Sequence, residues 1–309
     1  MFLRVSVVLD SKLNKVGKTF PITRIAKPYG EPADHRITIV NDEIVVVYQT
    51  LNFRKGTRPK GGPSEDFATD QSLLLARFTL DGKELFRGAI VDRATDFRKD
   101  NFPDHCLLWS QGRLLVSSGT RARVLHIREV GLDATELLDH IFPIRRDGIS
   151  SSIGNSMHQR GSRVGFFSSN SPTGNGALVL TVIDTDFKLA RITEFGGNDG
   201  VERHFPTDSM MLGDYTLVSY IARSVGSKGT DLNTNPYHPR LMVIDASYKV
   251  VEDIPLGKGG FAHVHPTMTI LEDQLFVGWS KRSQHKSPQV RIERFSITWK
   301  AAGSDATGN

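Results

Sequence analysis

Pro103-Asp104-His105-Cys106-Leu107-Leu108-Trp109-Ser110-Gln111-Gly112-Arg113-Leu114-Leu115-Val116-Ser117-Ser118-Gly119-Thr120 carries a whole unit of structure. A polar head leads into an apolar strand, a tight turn follows, and a second strand ends in small polar residues. The same grammar recurs from Asp34 to Thr50, Asn155 to Asn170, Asp208 to Arg223 and His265 to Arg282. Its heads, Asp34, Asp104, Asn155, Asp208 and His265, stand 70, 51, 53 and 57 residues apart.

A strand-turn-strand piece follows each of the first four units. These pieces are Leu73 to Ile90 around Asp81-Gly82, Val124 to Leu138 around Gly131-Leu132-Asp133, Leu178 to Phe195 around Asp184-Thr185-Asp186, and Leu241 to Ile254 around Asp245-Ala246-Ser247. Their turn residues suit positive φ or side-chain-to-backbone bonds, and no convincing amphipathic helix interrupts them. Four strands in each period of roughly 40 to 60 residues are the mark of propeller blades. The expectation is an all-β chain, a five-bladed β-propeller occupying residues 1–300 as one domain, with the small polar residues 301–309 as a disordered tail. A hairpin at residues 2–22 and a last strand near Val290 to Trp299 lie at opposite ends of the sequence. Together they are expected to complete the last blade and close the ring, which removes exposed sheet edges.

Composition narrows the function classes. Hydrophobic residues make up 39% of the chain and charged residues 24%, enough for a sizeable core without disulfides. Cys106 is the single cysteine and reads as a small packing residue. The first ten residues are too short for a secretory signal and nothing approaches a spanning helix. The chain therefore reads as soluble and away from the membrane, either cytoplasmic or secreted with its leader removed. A formal net charge of +5 favours anionic partners, while the aromatic-basic pattern of an RNA-binding domain is missing, so no nucleic-acid partner is expected.

In a propeller the loops entering the first strand and leaving the second ring one mouth. Here they are the long ones: residues 51–71, 92–103, 145–154, 196–207, 224–239 and 280–289. The heads bring three aspartates to that mouth, with His35 and His105 directly after two of them. Crowded carboxylates push one another's proton affinities apart, which equips one as acid and another as base. Polar heads that bind channel water or cap loops explain the same residues. Arg121, Arg223 and Arg282 end second strands and would approach the mouth with forks suited to carboxylate, sulfate or phosphate. Pairing with loop carboxylates explains these equally. His263-Val264-His265 has a spacing that can chelate a metal, with His35 and His105 as further ligands, but the favoured expectation is no cofactor and no metal.

The heads Ala33-Asp34-His35 and Pro103-Asp104-His105, each before an apolar strand such as Ile44-Val45-Val46-Val47-Tyr48, resemble the blade openings of furanosidase-like five-bladed glycosidases. That superfamily also contains glycoside phosphorylases. In its inverting hydrolases the first-blade aspartate is the base, the second-blade aspartate tunes and orients, and a third-blade glutamate is the acid. The resemblance assigns the first two roles to Asp34 and Asp104. Gly154-Asn155-Ser156 stands where the glutamate would be, so the acid would pass to Glu202 or Asp208.

The reading is a carbohydrate-active enzyme of glycoside-hydrolase type acting at the mouth on a glycan or glycoside, one bearing an anionic group. Asp34, Asp104, Asp208 and Glu202 are its catalytic candidates, and His35, His105, Asn155, Arg121, Arg223, Arg282 and His265 its substrate-binding candidates. Two alternatives stand beside it: a phosphate-dependent glycoside phosphorylase, and a non-catalytic propeller that binds an acidic glycan or a protein partner.

Overall fold

A computed structural model describes residues 4–9, 15–23, 31–53, 68–94, 105–119, 124–143, 156–170, 177–196, 201–224, 238–256, 262–283 and 286–297. All regular structure among them is strand, and no helix there is long and apolar enough to cross a membrane. The amino-terminal hairpin pairs β1 (Arg4–Leu9) with β2 (Lys15–Thr23). Blade 1 runs β3 (Glu31–Val40), β4 (Glu43–Phe53), β5 (Ala68–Thr79) and β6 (Glu84–Ala94). Blade 2 follows with β7 (Cys106–Ser110), β8 (Arg113–Gly119), β9 (Val124–Val130) and β10 (Glu136–Pro143). Blade 3 holds β11 (Ser156–Arg160), β12 (Arg163–Asn170), β13 (Ala177–Ile183) and β14 (Leu189–Phe195). Blade 4 holds β15 (Val201–Leu212), β16 (Tyr215–Ser224), β17 (His238–Ile244) and β18 (Val250–Pro255). Blade 5 has β19 (Ala262–Leu271), β20 (Gln274–Ser283) and β21 (Lys286–Ser296).

Each blade is an antiparallel meander, so the expected five-bladed propeller is the fold. The first strand of each blade turns into the second through two residues. Asn41-Asp42 and Gln111-Gly112 take positive φ at both positions, the geometry that matches strand twist.

In blades 1 to 4 the strands are apolar on both faces because each of these blades is packed on both sides. In blade 1, Val45, Val47, Leu73 and Leu75 meet Leu114, Val116 and Val130 of blade 2. Their neighbours Ile44, Val46, Tyr48, Leu74 and Phe78 point the other way. Cys106, Leu115 and Ile127 meet Met157, Val164 and Phe166 across the next seam, and the single cysteine is buried as expected. Phe167, Leu178, Leu180 and Phe195 meet Val218, Tyr220 and Met242, and Leu217 and Leu241 meet Val277 and Trp279. Burial of one such side chain contributes roughly 1.5–3 kcal/mol, so four seams of this kind account for the bulk of the stabilisation.

On the face away from the mouth, knobs key neighbouring blades together. Asp184 Oδ1 accepts from the Asp186 and Lys188 amides, and Asp245 Oδ1 from those of Ser247 and Lys249. These caps hold Phe187 and Tyr248 at positive φ. Phe187 stacks on His140 of blade 2 at 3.6 Å, and Tyr248 lies under Arg160 and Arg191 of blade 3 at 5.3 and 4.5 Å.

The expected closure is not seen among the described residues. Among the described residues β1 and β2 pair with each other, and blade 5 is a three-stranded sheet with β21 at its edge. The tail beyond residue 300 and the long mouth loops lie largely outside the described residues.

Candidate functional site

Every inner strand runs from the mouth toward its two-residue turn, so depth can be counted back from that turn. Asp34 and His265 stand seven residues before their first turn residue, at Asn41 and Glu272, whereas Asp208 stands five before Gly213. Asp208 therefore lies two residues deeper than Asp34. It shares its level with Arg36 and Thr267, each also five before its turn.

Among the described residues of blades 2 and 3, Cys106 to Ser110 and Ser156 to Arg160 pair without interruption, and the stretches before them, 101–104 and 151–155, lie outside the described residues. In blades 4, 5 and 1, neighbours around the ring, the inner strands are ten to twelve residues long and each is bulged. The register breaks between Pro32 and His35, between His204 and Asp208, and between His263 and Thr267. Asp34 lies within the first bulge and His265 within the third. Asp208 is the first paired residue past the second, and Glu202, on its mouth side, pairs across the strand with Arg223. Bulges bend a strand and re-aim its side chains, and they concentrate beside active sites.

Two bulges lock together. Thr207 donates to the Pro266 carbonyl, and Ser219 Oγ donates to the same oxygen at 2.9 Å. Asp208 Oδ2 accepts from the Met268 amide at 2.7 Å and from Thr267 Oγ1 at 3.0 Å. The half-buried Asp208 carboxylate thus joins blade 4 to blade 5. Burial holds its pKa above the usual carboxylate range, against the opposing pull of those hydrogen bonds and of the Arg36 charge. Arg36 Nη1 donates to the His35 carbonyl at 3.2 Å.

Below the mouth of blade 4 lies a buried charge cluster. Asp253 on β18 accepts from Tyr220 Oη at 2.7 Å, Arg240 Nε at 2.8 Å and Arg203 Nη2 at 3.0 Å. Burial, then the Asp253 charge, pushes the Tyr220 hydroxyl well up, so it stays a proton donor. Arg203 directly follows Glu202 on β15, and its guanidinium packs on Gly196, where φ is +104° and a Cβ would come within 2.3 Å of Nη1. The base of the segment between β14 and β15 is clamped by these contacts. In blade 1, beside the Asp34 bulge, buried Gln49 donates to buried Gln71 at 2.5 Å.

His105 is fully buried, its ring nitrogen 3.2 Å from the Val47 carbonyl across the seam to blade 1. His158 is another buried imidazole, with Nδ1 3.2 Å from Ser209 Oγ and its ring packed on Gly165. Burial, with the Arg160 charge, brings its pKa down to about 3, so it is neutral at ordinary pH.

Of the sequence candidates, His35, His105 and Asp208 have described side chains. The backbones of Asp34, Glu202, Arg223, His263, His265 and Arg282 are placed in strands, and their side chains lie outside the described residues, as do Asp104, Arg121 and Asn155 altogether. No group of three or more metal-ligating side chains occurs among the described residues. Sequence reasoning missed Arg36, Gln49, Gln71, Arg203 and Asp253. Gln49 alone left a trace, as a polar residue closing the apolar run Ile44 to Tyr48.

No protein-family model matches this chain, and no curated protein matches it. Solved structures do. A bifunctional GH43-CE protein of Bacteroides eggerthii, GH43 being glycoside hydrolase family 43, aligns at TM-score 0.52 and 11% identity, over 89% of this chain and 34% of that one. The α-L-arabinofuranosidase of Clostridium thermocellum aligns at 0.49 and 8% identity, covering 90% and 93%, and the GH43 endo-arabinanase of Bacillus licheniformis at 0.49 and 13%, covering 88% and 95%. The chain is an all-β five-bladed propeller similar in fold to the family 43 glycoside hydrolases.

Proposed function

We propose that this chain is a carbohydrate-active enzyme of glycoside-hydrolase type, working at the mouth between blades 4, 5 and 1. The observation that carries the reading is the run of three adjacent bulged inner strands. It gathers Asp34, His265, Asp208 and Glu202 on neighbouring strands, in a fold whose similar structures include an arabinofuranosidase and an endo-arabinanase. In this reading Asp34 is the base that activates water, and Asp104 orients the sugar. Glu202 or Asp208 protonates the leaving oxygen. A carboxyl group with raised proton affinity suits an acid, which favours Asp208, whereas nearness to the mouth favours Glu202. Arg121, Arg223 and Arg282 hold an anionic group on the substrate.

The test is hydrolysis of a panel of aryl furanosides and pyranosides, arabinans and uronate-bearing glycans by the wild-type chain. On whichever substrate turns over, Asp34→Asn is expected to lower kcat by about 10³-fold. Full activity in that variant removes Asp34 from the mechanism. Turnover that requires phosphate makes the chain a phosphorylase. One observation favours a second reading, a propeller that binds an acidic glycan or a protein: Asp208 already spends Oδ2 on blade 5, as a structural carboxylate would. Binding without turnover across the panel, weakened when Arg223 or Arg282 is changed to Ala, decides for it.

A further inference from the structure

Arg36, half-buried on the inner strand of blade 1, meets no carboxylate in an ion pair among the described residues. Arg77, Arg87, Arg128, Arg203 and Arg240 each do, with Glu43, Glu84, Glu136 and, for the last two, Asp253. Arg36 donates from Nη1 to the carbonyl of its own neighbour His35, and its Nε is buried without a partner. A buried N–H left unbonded is a standing cost to the fold and calls for a physical reason.

The reason lies in where the side chain stands. Arg36 is two residues below Asp34, roughly 6–7 Å along an extended strand, and level with Asp208 and Thr267. Blades 1 and 4 share no apolar seam, yet the Arg36 charge acts on Asp208, so that influence crosses the channel. The two groups form no ion pair, and Asp208 directs Oδ2 to Met268 and Thr267 of blade 5 instead. Thr267 is exposed, so solvent reaches this depth. Ser156 stands five before Gly161 and belongs to the same level on blade 3, and its buried hydroxyl has no partner either. Below the mouth, one solvent-reached level of the ring therefore carries a cation and a hydroxyl with donors left unbonded.

We propose that Arg36 is an oxyanion-binding residue of the central channel, whose unbonded N–H groups take a carboxylate or phosphate group entering through the mouth. A guanidinium presents paired donors in one plane, matched to two oxygens of such a group. Two sources share this chemistry, the carboxylate of a uronate unit in a glycan and free phosphate. The assignment rests on the reading of the mouth as a substrate site, but it is read out by binding, which can be absent while turnover stands and present where turnover fails.

Calorimetric titration of the full chain at low ionic strength tests it, with D-glucuronate and inorganic phosphate as probes and D-glucose as the uncharged control. Wild type is expected to bind at least one of the two anions and not glucose. Arg36→Met, which keeps the length of the side chain, should weaken that binding at least about 10-fold, and Arg36→Lys should fall between. Phosphate bound without glucuronate identifies free phosphate as the source, glucuronate without phosphate identifies the glycan carboxylate, and mutual displacement shows that both use one seat. Thermal unfolding without ligand separates a ligand site from a structural arginine. Arg36→Met removes an unbonded donor, so it should melt at the wild-type temperature or above. A variant that melts several degrees lower, or does not fold, makes Arg36 structural and overturns the proposal. So does the absence of anion binding, binding that Arg36→Met leaves intact, or binding that an equal concentration of chloride removes, which is unselective attraction to a basic chain.

Discussion

The inner strands of blades 4, 5 and 1 each break register on the way to the mouth, and the described part of those in blades 2 and 3, Cys106–Ser110 and Ser156–Arg160, sits among close apolar packing. In the latter pair Cys106, Leu115, Met157 and Phe166 fill one seam, and His158 lies flat on Gly165. In blade 4 and against blade 5, the bulged side is held by buried polar contacts, Thr207 and Ser219 on Pro266, Asp208 on blade 5, and Asp253 among two arginines and a tyrosine. A bulge frees backbone groups that must find partners, so polar stitching follows from the irregularity itself. Among the described residues one side of the ring is held by apolar packing, and the other adds buried polar contacts at its bulges.

The most damaging change should fall on the polar side. Asp253→Ala leaves Arg203 and Arg240 without their shared carboxylate, and breaking such a partly buried pair costs about 4 kcal/mol. Because Arg203 clamps the strand that carries Glu202, any turnover should fall further than folding alone explains, at a temperature where the variant remains folded. Urea unfolding together with kcat measured on the folded fraction checks both parts. A loss of stability with unchanged kcat would show the cluster to be scaffold only.

The apolar side should be broken by size alone. At Gly165 a Cβ would meet the His158 ring at 2.3 Å, and Gly165→Ala should cost about 3 kcal/mol by overpacking. Activity per folded molecule should be retained, the reverse of the Asp253 result. A variant as stable as wild type would mean that the ring can move aside.

His158 sharpens the same side through pH. Its folded pKa of about 3 lies below its unfolded value, so the unfolded state binds the extra proton between the two. Its contribution is complete above pH 6.5 and is lost as pH falls toward 3. Between pH 6.5 and 4.5 the loss is about 2 kcal/mol. His158→Phe removes this component, so the difference between wild type and variant should shrink by that amount over the interval. A constant difference would place the imidazole in contact with solvent.

Much of this frame was legible in the sequence, and the reason is period. Ile44 to Tyr48 and Leu73 to Ala76 are apolar at both parities because both faces are covered, and Asp184 and Asp245 announce turns by the amides they accept. The bulges were not legible. Residues 33–34, 205–207 and 264–266 have no composition that separates a bulge from a paired strand, since register is settled by the partner strand and the neighbouring blade. Asp208 was placed level with Asp34 because the heads were matched by polarity. Counting back from Gly213 and Asn41 would have shown the two-residue difference. Arg203 and Asp253 are fifty residues apart in sequence and meet only through the width of a blade.

The smallest expected effect decides the part played by Asp208. Asparagine keeps an oxygen for the Met268 amide and the Thr267 hydroxyl, so Asp208→Asn should change stability by about 1 kcal/mol or less at neutral pH. The sign should vary with pH. With the folded pKa raised, the aspartate's stabilising contribution is complete below about pH 4 and is lost as pH rises through the folded value, while the amide has no such dependence. The variant should therefore gain on wild type as pH increases. If Asp208 is only the stitch between blades 4 and 5, kcat and its pH profile stay as they were. If it delivers the proton, kcat falls at least about 100-fold on substrates with poor leaving groups, and the basic limb of the profile disappears. Only the second outcome would make this carboxylate part of the chemistry as well as part of the bulged wall, and the first would leave the acid's role to Glu202.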